Sequence, residues 1–310
     1  MPPLTVRLRG KRWFQAACGA TAAAAVGAAV LFIVHEPSPL GAVGSWRLTF
    51  DEEFGGARLD PRHWIDHEPW QQQGYRTNDA WFPVPHGTRQ LEVAQGRAIL
   101  KARHAGGLPE DASMTSVELS TRGRFSIAAG STSFTEAKID APTAKGLLPA
   151  FWLLGDGTND TGQGWPINGE IDILEFSNNV DEQGRPYASV WYPKDVYTKP
   201  PGTFLNGIHD THPASFRPEP QLRNSWHTWG LYRSPERMTI YVDGVQRFTF
   251  RPGTAYRQGI PLPRMLFTKP MHVRLSLGVG GDWAGAGRPK SDVQDGDLQV
   301  DYVRSWRSAA

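Results

Sequence analysis

Three carboxylates crowd into six residues of the stretch Trp165-Pro166-Ile167-Asn168-Gly169-Glu170-Ile171-Asp172-Ile173-Leu174-Glu175-Phe176. They are Glu170, Asp172 and Glu175, interleaved with Ile171, Ile173 and Leu174. In a strand, successive side chains alternate faces, so Glu170 and Asp172 share one face while Ile171 and Ile173 take the other. Glu175 lies an odd number of steps from Glu170, and a regular strand would turn it into the core, where an unpaired carboxylate is costly. A β-bulge at Ile173-Leu174 adds one residue and restores all three carboxylates to one surface. Strand spacing then separates the outer Cα atoms by roughly 13 Å. Two Glu side chains leaning inward by about 4 Å each bring their carboxyls to roughly 5 Å. That is the separation for retaining cleavage of a glycosidic bond, about 5–5.5 Å, and too short for inversion at ~6.5–9.5 Å. Asp172 between them raises its neighbours' proton affinity and can hydrogen-bond whichever Glu is protonated. A solvated acidic strand face is the alternative, but acidic residues are disfavoured in strands and repel one another side by side.

The elements that must hold this strand read as β throughout. From Trp46 to Trp306 the chain shows short alternating segments with many Gly and Pro and no long amphipathic helix. In His272–Val279, Val273, Leu275, Leu277 and Val279 fall on one face. Met238–Phe250 reads as two strands around the turn Asp243-Gly244. Arg97–Ala102 and Ser133–Asp140 are further strands, and the segments Thr158–Gly164 and Asp195–Arg223 read as long loops. Strands at this spacing with Gly and Pro punctuation point to a sandwich or barrel. The composition agrees: 310 residues, 39% hydrophobic and 21% charged, describe an ordinary globular chain. A net charge of +2 argues against a dedicated nucleic-acid binder, and one Cys excludes an internal disulfide. The 12 Trp serve either as core or as stacking surfaces for sugar rings.

The amino end has a different character. Arg7, Arg9, Lys11 and Arg12 precede an uncharged run from Trp13 to Val34, and no acidic residue appears before Glu36. This is the pattern of an export signal or a membrane anchor, and the length of the run favours an uncleaved anchor helix with its basic end inside. Residues 1–35 are accordingly expected to be a signal peptide or signal-anchor helix, 36–45 a linker, and 46–307 one domain outside the cytoplasm.

The carboxylate segment resembles the signature of glycoside hydrolase family 16, Glu-x-Asp-x-(x)-Glu, in its longer laminarinase-type form. Trp46–Phe54 with Leu59–Trp64 resembles the family's opening strand. Gly146–Gly155 resembles the cleft strand before the signature. Trp226–Gly230 with Ile240–Gly244, Gly280–Gly285 and Val300–Arg304 resemble the strands that follow. The match runs in order over essentially all of 46–306. It implies a concanavalin A-like β-jelly-roll sandwich of two antiparallel sheets with a concave carbohydrate cleft. It also implies that Glu170 is the nucleophile, Glu175 the acid/base and Asp172 the assisting carboxylate. The spacing alone does not say which Glu is which.

With the family in view the tryptophans sort by position. Trp152 and Trp165 flank the signature and are the foremost candidates to stack on sugar, followed by Trp283 and Trp191. Trp46, Trp64, Trp226, Trp229 and Trp306 are expected in the core. Two departures from the laminarinase-type pattern stand out. Where a Thr-x-His pair is expected, the chain has Ala188-Ser189-Val190-Trp191-Tyr192, with Trp191 in the place of His. Where an Arg follows a Thr-Ser-Gly run, Thr115-Ser116-Val117-Glu118 offers Glu118, which either binds a sugar hydroxyl or is simply exposed. The pairs His63/His67 and His209/His212 lack a third ligand at a telling spacing and read as surface or structural. Catalysis requires no cofactor, and the resemblance implies a possible structural calcium at Asp301. The expected activity is retaining endo-hydrolysis of a β-linked polysaccharide, a β-1,3- or mixed-linkage glucan or a bacterial exopolysaccharide, by a monomer. Partners other than the polysaccharide are none for nucleic acid, and the membrane if the amino-terminal helix stays. A transglycosylase on the same site, or a non-catalytic carbohydrate-binding sandwich, is the alternative.

Overall fold

The computed structural model describes residues 37–66, 82–83, 90–105, 114–157, 166–178, 184–193, 207–212, 214–279 and 293–309. The expected amino-terminal helix, like Trp165 and Trp283, lies outside these residues. Among the described residues no helix is long and apolar enough to cross a membrane.

In chain order the strands are β1 (Trp46–Glu52), β2 (Phe82–Pro83), β3 (Leu91–Ala94), β4 (Arg97–His104), β5 (Met114–Ser116), β6 (Glu118–Ser120), β7 (Ser133–Asp140) and β8 (Leu147–Gly155). They continue with β9 (Glu170–Phe176), β10 (Pro186–Pro193), β11 (Gly207–Thr211), β12 (Trp226–Ser234), β13 (Arg237–Val242), β14 (Val245–Phe250), β15 (Met271–Val279) and β16 (Gly296–Ser308). A ten-stranded sheet runs β14-β13-β12-β7-β16-β4-β5-β2, with β1 also on β16 and β3 on β4. A six-stranded sheet runs β11-β10-β9-β8-β15-β6. Pairing is antiparallel except between β2 and β5. The expected all-β sandwich of two antiparallel sheets is therefore the architecture of the described residues.

Alternation explains how the sheets close on each other. On β15, Val273, Leu275, Leu277 and Val279 are fully buried in the core, as their spacing predicts, which leaves His272, Arg274 and Ser276 on the opposite face. On β9 the core side is Ile171, Ile173, Leu174 and Phe176. Phe176 meets Trp229 of β12 edge-on at 5.9 Å, so the site strand is seated directly on the other sheet. Each large apolar side chain so buried contributes about 1.5–3 kcal/mol of hydrophobic stabilisation. The hairpin turn between β13 and β14 is formed by Asp243 and Gly244 at φ of 50° and 75°, the paired positive values that a tight hairpin requires.

Two expectations need correction. Asp195–Arg223 is not one long loop, because it contains β11, an edge strand whose only strongly apolar residue is Ile208 and whose pattern is therefore weak. Trp64, Trp229 and Trp306 are buried, but Trp46 and Trp226 are not core residues. The Arg97 guanidinium lies 5.0 Å and the Lys138 ammonium 5.7 Å from the centre of the Trp226 ring. Trp46 meets Phe134 and Tyr232 edge-on on the outer face of the ten-stranded sheet. Trp306 is buried on that same outer face, where its indole N–H donates to the Pro37 carbonyl at 2.6 Å, and the Leu40 N–H donates to Glu136 at 2.9 Å. The segment entering β1 is thereby pinned across the sheet.

Candidate active site

The bulge demanded by side-chain parity is present in β9. Phe151 pairs with Leu174 but Trp152 pairs with Asp172, so Ile173 is the additional residue. On the other side Ser189 faces Asp172 and Tyr187 faces Glu175, with Ala188 alone opposite Ile173 and Leu174. The result is that Ile173 and Leu174 both enter the core while Glu170, Asp172 and Glu175 emerge together on the opposite face.

Register places further side chains beside them, since residues directly opposite in an antiparallel pair share a face. One row reads His209, Trp191, Glu170, Leu154, His272. The next reads Thr211, Ser189, Asp172, Trp152, Arg274, Ser120, and the third Tyr187, Glu175, Ala150, Ser276, Glu118. Glu170 and Asp172 are buried, at 8% and 2% exposure, whereas Glu175 is half-buried. The Ser189 hydroxyl lies 2.7 Å from Asp172 Oδ2 and 3.2 Å from Glu175 Oε2. Burial pushes the Asp172 carboxyl up to about 7, against the opposing pull of the Ser189 hydroxyl.

A raised carboxyl has a consequence for stability. Near neutrality the folded site holds a proton that the unfolded chain, with its aspartates near pKa 3.9, has already released. The stabilisation is full below about pH 4 and is lost as pH rises through about 7. Asp172→Asn, which cannot ionise, should therefore unfold at a higher temperature than the wild type at about pH 8 and at a similar temperature at about pH 4. Each tenfold change in proton affinity is worth about 1.4 kcal/mol, which sets an upper bound on the gain on the order of 4 kcal/mol. Thermal unfolding at the two pH values checks this, and a variant that gains nothing at the higher pH contradicts the burial argument.

The walls of the site are aromatic. Trp152 is half-buried, donates its indole N–H to Ser276 Oγ at 3.1 Å, and carries the Arg274 guanidinium 4.3 Å above its ring. Arg274 in turn is ion-paired with Glu118, and both are almost fully buried. Glu118 is thus not an exposed residue: its carboxylate fixes the cation that caps Trp152. On the other side of Glu170, Trp191 is stacked on His209 at 4.4 Å with planes 19° apart. Burial draws the His209 imidazole down to about 4, so it is neutral at physiological pH.

The remaining candidates lie elsewhere. His63 Nδ1 sits 2.9 Å from Glu52, and His212 stacks on Phe248 at 5.0 Å, so both are structural; His67 lies outside the described residues. Asp301, on β16 of the other sheet, accepts a hydrogen bond from the Lys138 ammonium at 3.1 Å. An ammonium already neutralises that carboxylate, and no three His, Cys, Asp or Glu side chains gather in metal-binding fashion among the described residues.

Ser189, Arg274 and Ser276 join the site without having been singled out from the sequence, and His209, read there as surface or structural, joins it opposite Trp191. Ser189 shares parity with Trp191, and Arg274 and Ser276 lie opposite the apolar face of their strand, so these three carried a signal. What the sequence lacked was which strands are neighbours.

A model of the family described as glycosyl hydrolases family 16 matches residues 80–304. The chain is 27% identical over 266 residues to a protein named beta-glucanase from Rhodothermus marinus, spanning 84% of this chain and 85% of that one. It is 26% identical over 288 residues to glucan endo-1,3-beta-glucosidase A1 from Niallia circulans, spanning 86% of this chain but 38% of that longer protein. Among solved structures, endo-beta-1,3-glucanase from Pyrococcus furiosus superposes with a TM-score of 0.63 at 26% identity, covering 84% of this chain and 94% of that one.

Proposed function

Because this chain belongs to glycosyl hydrolases family 16, we propose that it is a retaining endo-glycosidase cleaving a β-linked glucan, of β-1,3 or mixed linkage, outside the cytoplasm. The observation that carries the reading is the bulge in β9, which assembles Glu170, Asp172 and Glu175 on one surface. The names of the relatives supply the substrate class, and the basic-then-apolar amino end supplies the compartment.

In this reading the Glu170 carboxylate attacks the anomeric carbon as Glu175 gives its proton to the departing glycosidic oxygen. The glycosyl–Glu170 ester is then attacked by water, whose proton returns to Glu175 as the ester bond breaks. Burial raises the Asp172 carboxyl to about 7, so near neutrality it can hold or release a proton beside Glu175. Trp152 and Trp191 offer ring faces on either side of the reacting strand, positioned to stack on successive sugars. Trp165 and Trp283 remain proposed partners in that binding.

Retention is the decisive property. Proton NMR of the first products from a β-glucan should show the β-anomer appearing before mutarotation brings in the α-anomer. Initial formation of the α-anomer would rule out the two-step mechanism.

A further inference from the structure

Ser189 is completely buried on β10, between two carboxyl groups that belong to different steps of the proposed reaction. A serine hydroxyl has one proton to donate and lone pairs with which to accept. It can donate to Asp172 or to Glu175, but not to both at once. The second contact becomes a hydrogen bond only when the second carboxyl is protonated and donates to Oγ. Both contacts are satisfied together when the two carboxyls hold one proton between them. Two arrangements meet this condition: Asp172 O–H to Oγ with Oγ–H to Glu175, or the reverse.

We infer that Ser189 is a positioning residue that passes this single proton between Asp172 and Glu175, so that Glu175 meets each glycosidic bond in its acid form. The exchange balances without any further reactant. The Asp172 O–H bond breaks as Oγ gains that proton, and the original Oγ–H bond breaks as Glu175 Oε2 gains the other. Two O–H bonds form, two break, and one negative charge moves from Glu175 to Asp172. The inference rests on the glycosidase reading and deepens it, since it says how Glu175 is kept in its acid form between turnovers. Asp172 suits the role of reservoir because burial lets it keep a proton up to about pH 7.

The other titratable or charged groups on this face are Glu170 on β9, Tyr187 on β10, His209 on β11, and His272 and Arg274 on β15 with Glu118 on β6. The positive charge of Arg274 is held by Glu118, and burial keeps His209 neutral. Glu170, as a neighbouring carboxylate, favours retention of the shared proton.

The test is the pH profile of kcat/KM for the wild type, Ser189→Ala and Ser189→Thr, with thermal unfolding to confirm that each is folded. Without the hydroxyl, Glu175 titrates as a half-buried carboxyl cut off from the proton of Asp172. The alkaline limb of Ser189→Ala should move down by about one pH unit or more, with kcat at neutral pH down about tenfold and KM within about twofold. Ser189→Thr, which keeps the hydroxyl, should return both limb and rate to near the wild type. Should Ser189→Ala not fold, Ser189→Cys, close in volume but a weak donor, is read in the same way. An unmoved limb in the Ala variant, or a Thr variant that behaves like Ala, overturns the relay while leaving the glycosidase reading intact. A wild type that cleaves no β-linked glycan overturns that reading and this inference with it.

Discussion

Glu170→Ala is expected to lower kcat/KM on a β-glucan by about 10⁴-fold or more, since removing a covalent nucleophile removes the low path itself rather than one favourable contact. The side chain is well placed to show this cleanly. It is 8% exposed and flanked in its row by Leu154 and Trp191, so truncation leaves a walled gap rather than a collapsed surface. A small anion such as azide should enter that gap and attack the anomeric carbon from the side the carboxylate occupied. One displacement inverts, so the rescued product should be the α-glycosyl azide, formed at a rate that rises with azide concentration. Product NMR reads the configuration directly. A β-azide would place the nucleophile elsewhere, and undiminished hydrolysis without azide would remove Glu170 from the chemistry altogether.

Glu175→Gln should be nearly as severe on the polysaccharide, about 10²–10⁴-fold, which is the usual worth of a positioned general acid. Its signature is dependence on the leaving group. A sugar oxygen departs poorly without a proton, whereas an activated aryl oxygen scarcely needs one. The variant should therefore lose most of its rate on the glucan and far less in the burst of phenol released from an activated aryl glycoside. The alkaline limb of the pH profile should vanish with the residue that produces it. Kinetics on the two substrates check this, and an equal loss on both would show that Glu175 serves binding or fold instead. The half-buried position of Glu175, more open than Glu170 or Asp172, fits a group that must meet both a bulky leaving sugar and incoming water.

Much of this site was legible because parity is a rigid constraint. A strand that must bury Ile171 and Leu174 yet keep Glu170 and Glu175 out of the core has one economical solution, the extra residue at Ile173. The same two-residue period gave the core face of β15, and turn chemistry gave the Asp243-Gly244 hairpin. What could not be read was lateral order. Nothing local states that β15 lies beside β8, so Arg274 could not be placed over Trp152, nor Glu118 recognised as its counter-charge. In the same way His209 looked like a loop residue, because β11 has too few apolar positions to announce itself and owes its strand form to pairing with β10. Trp46 and Trp226 misled for the opposite reason. They sit in strand-like contexts, but on the side away from the core, where charged stems and edge-on rings cover them instead of the second sheet.

The placement of β16 has a consequence in time as well as in space. This last strand is the bridge of the ten-stranded sheet, joining β7 on one side to β4 on the other and also carrying β1, the first strand of the domain. Until it arrives, the larger sheet exists only as separate pieces, and the six-stranded sheet has no completed partner to bury its apolar face. A chain emerging amino end first thus cannot close its sandwich until residues 296–308 have been made. Pairing the two ends of so long a segment makes for slow folding. The carboxylates of β9 are synthesised well before β16, but they acquire their buried setting only when that strand takes its place.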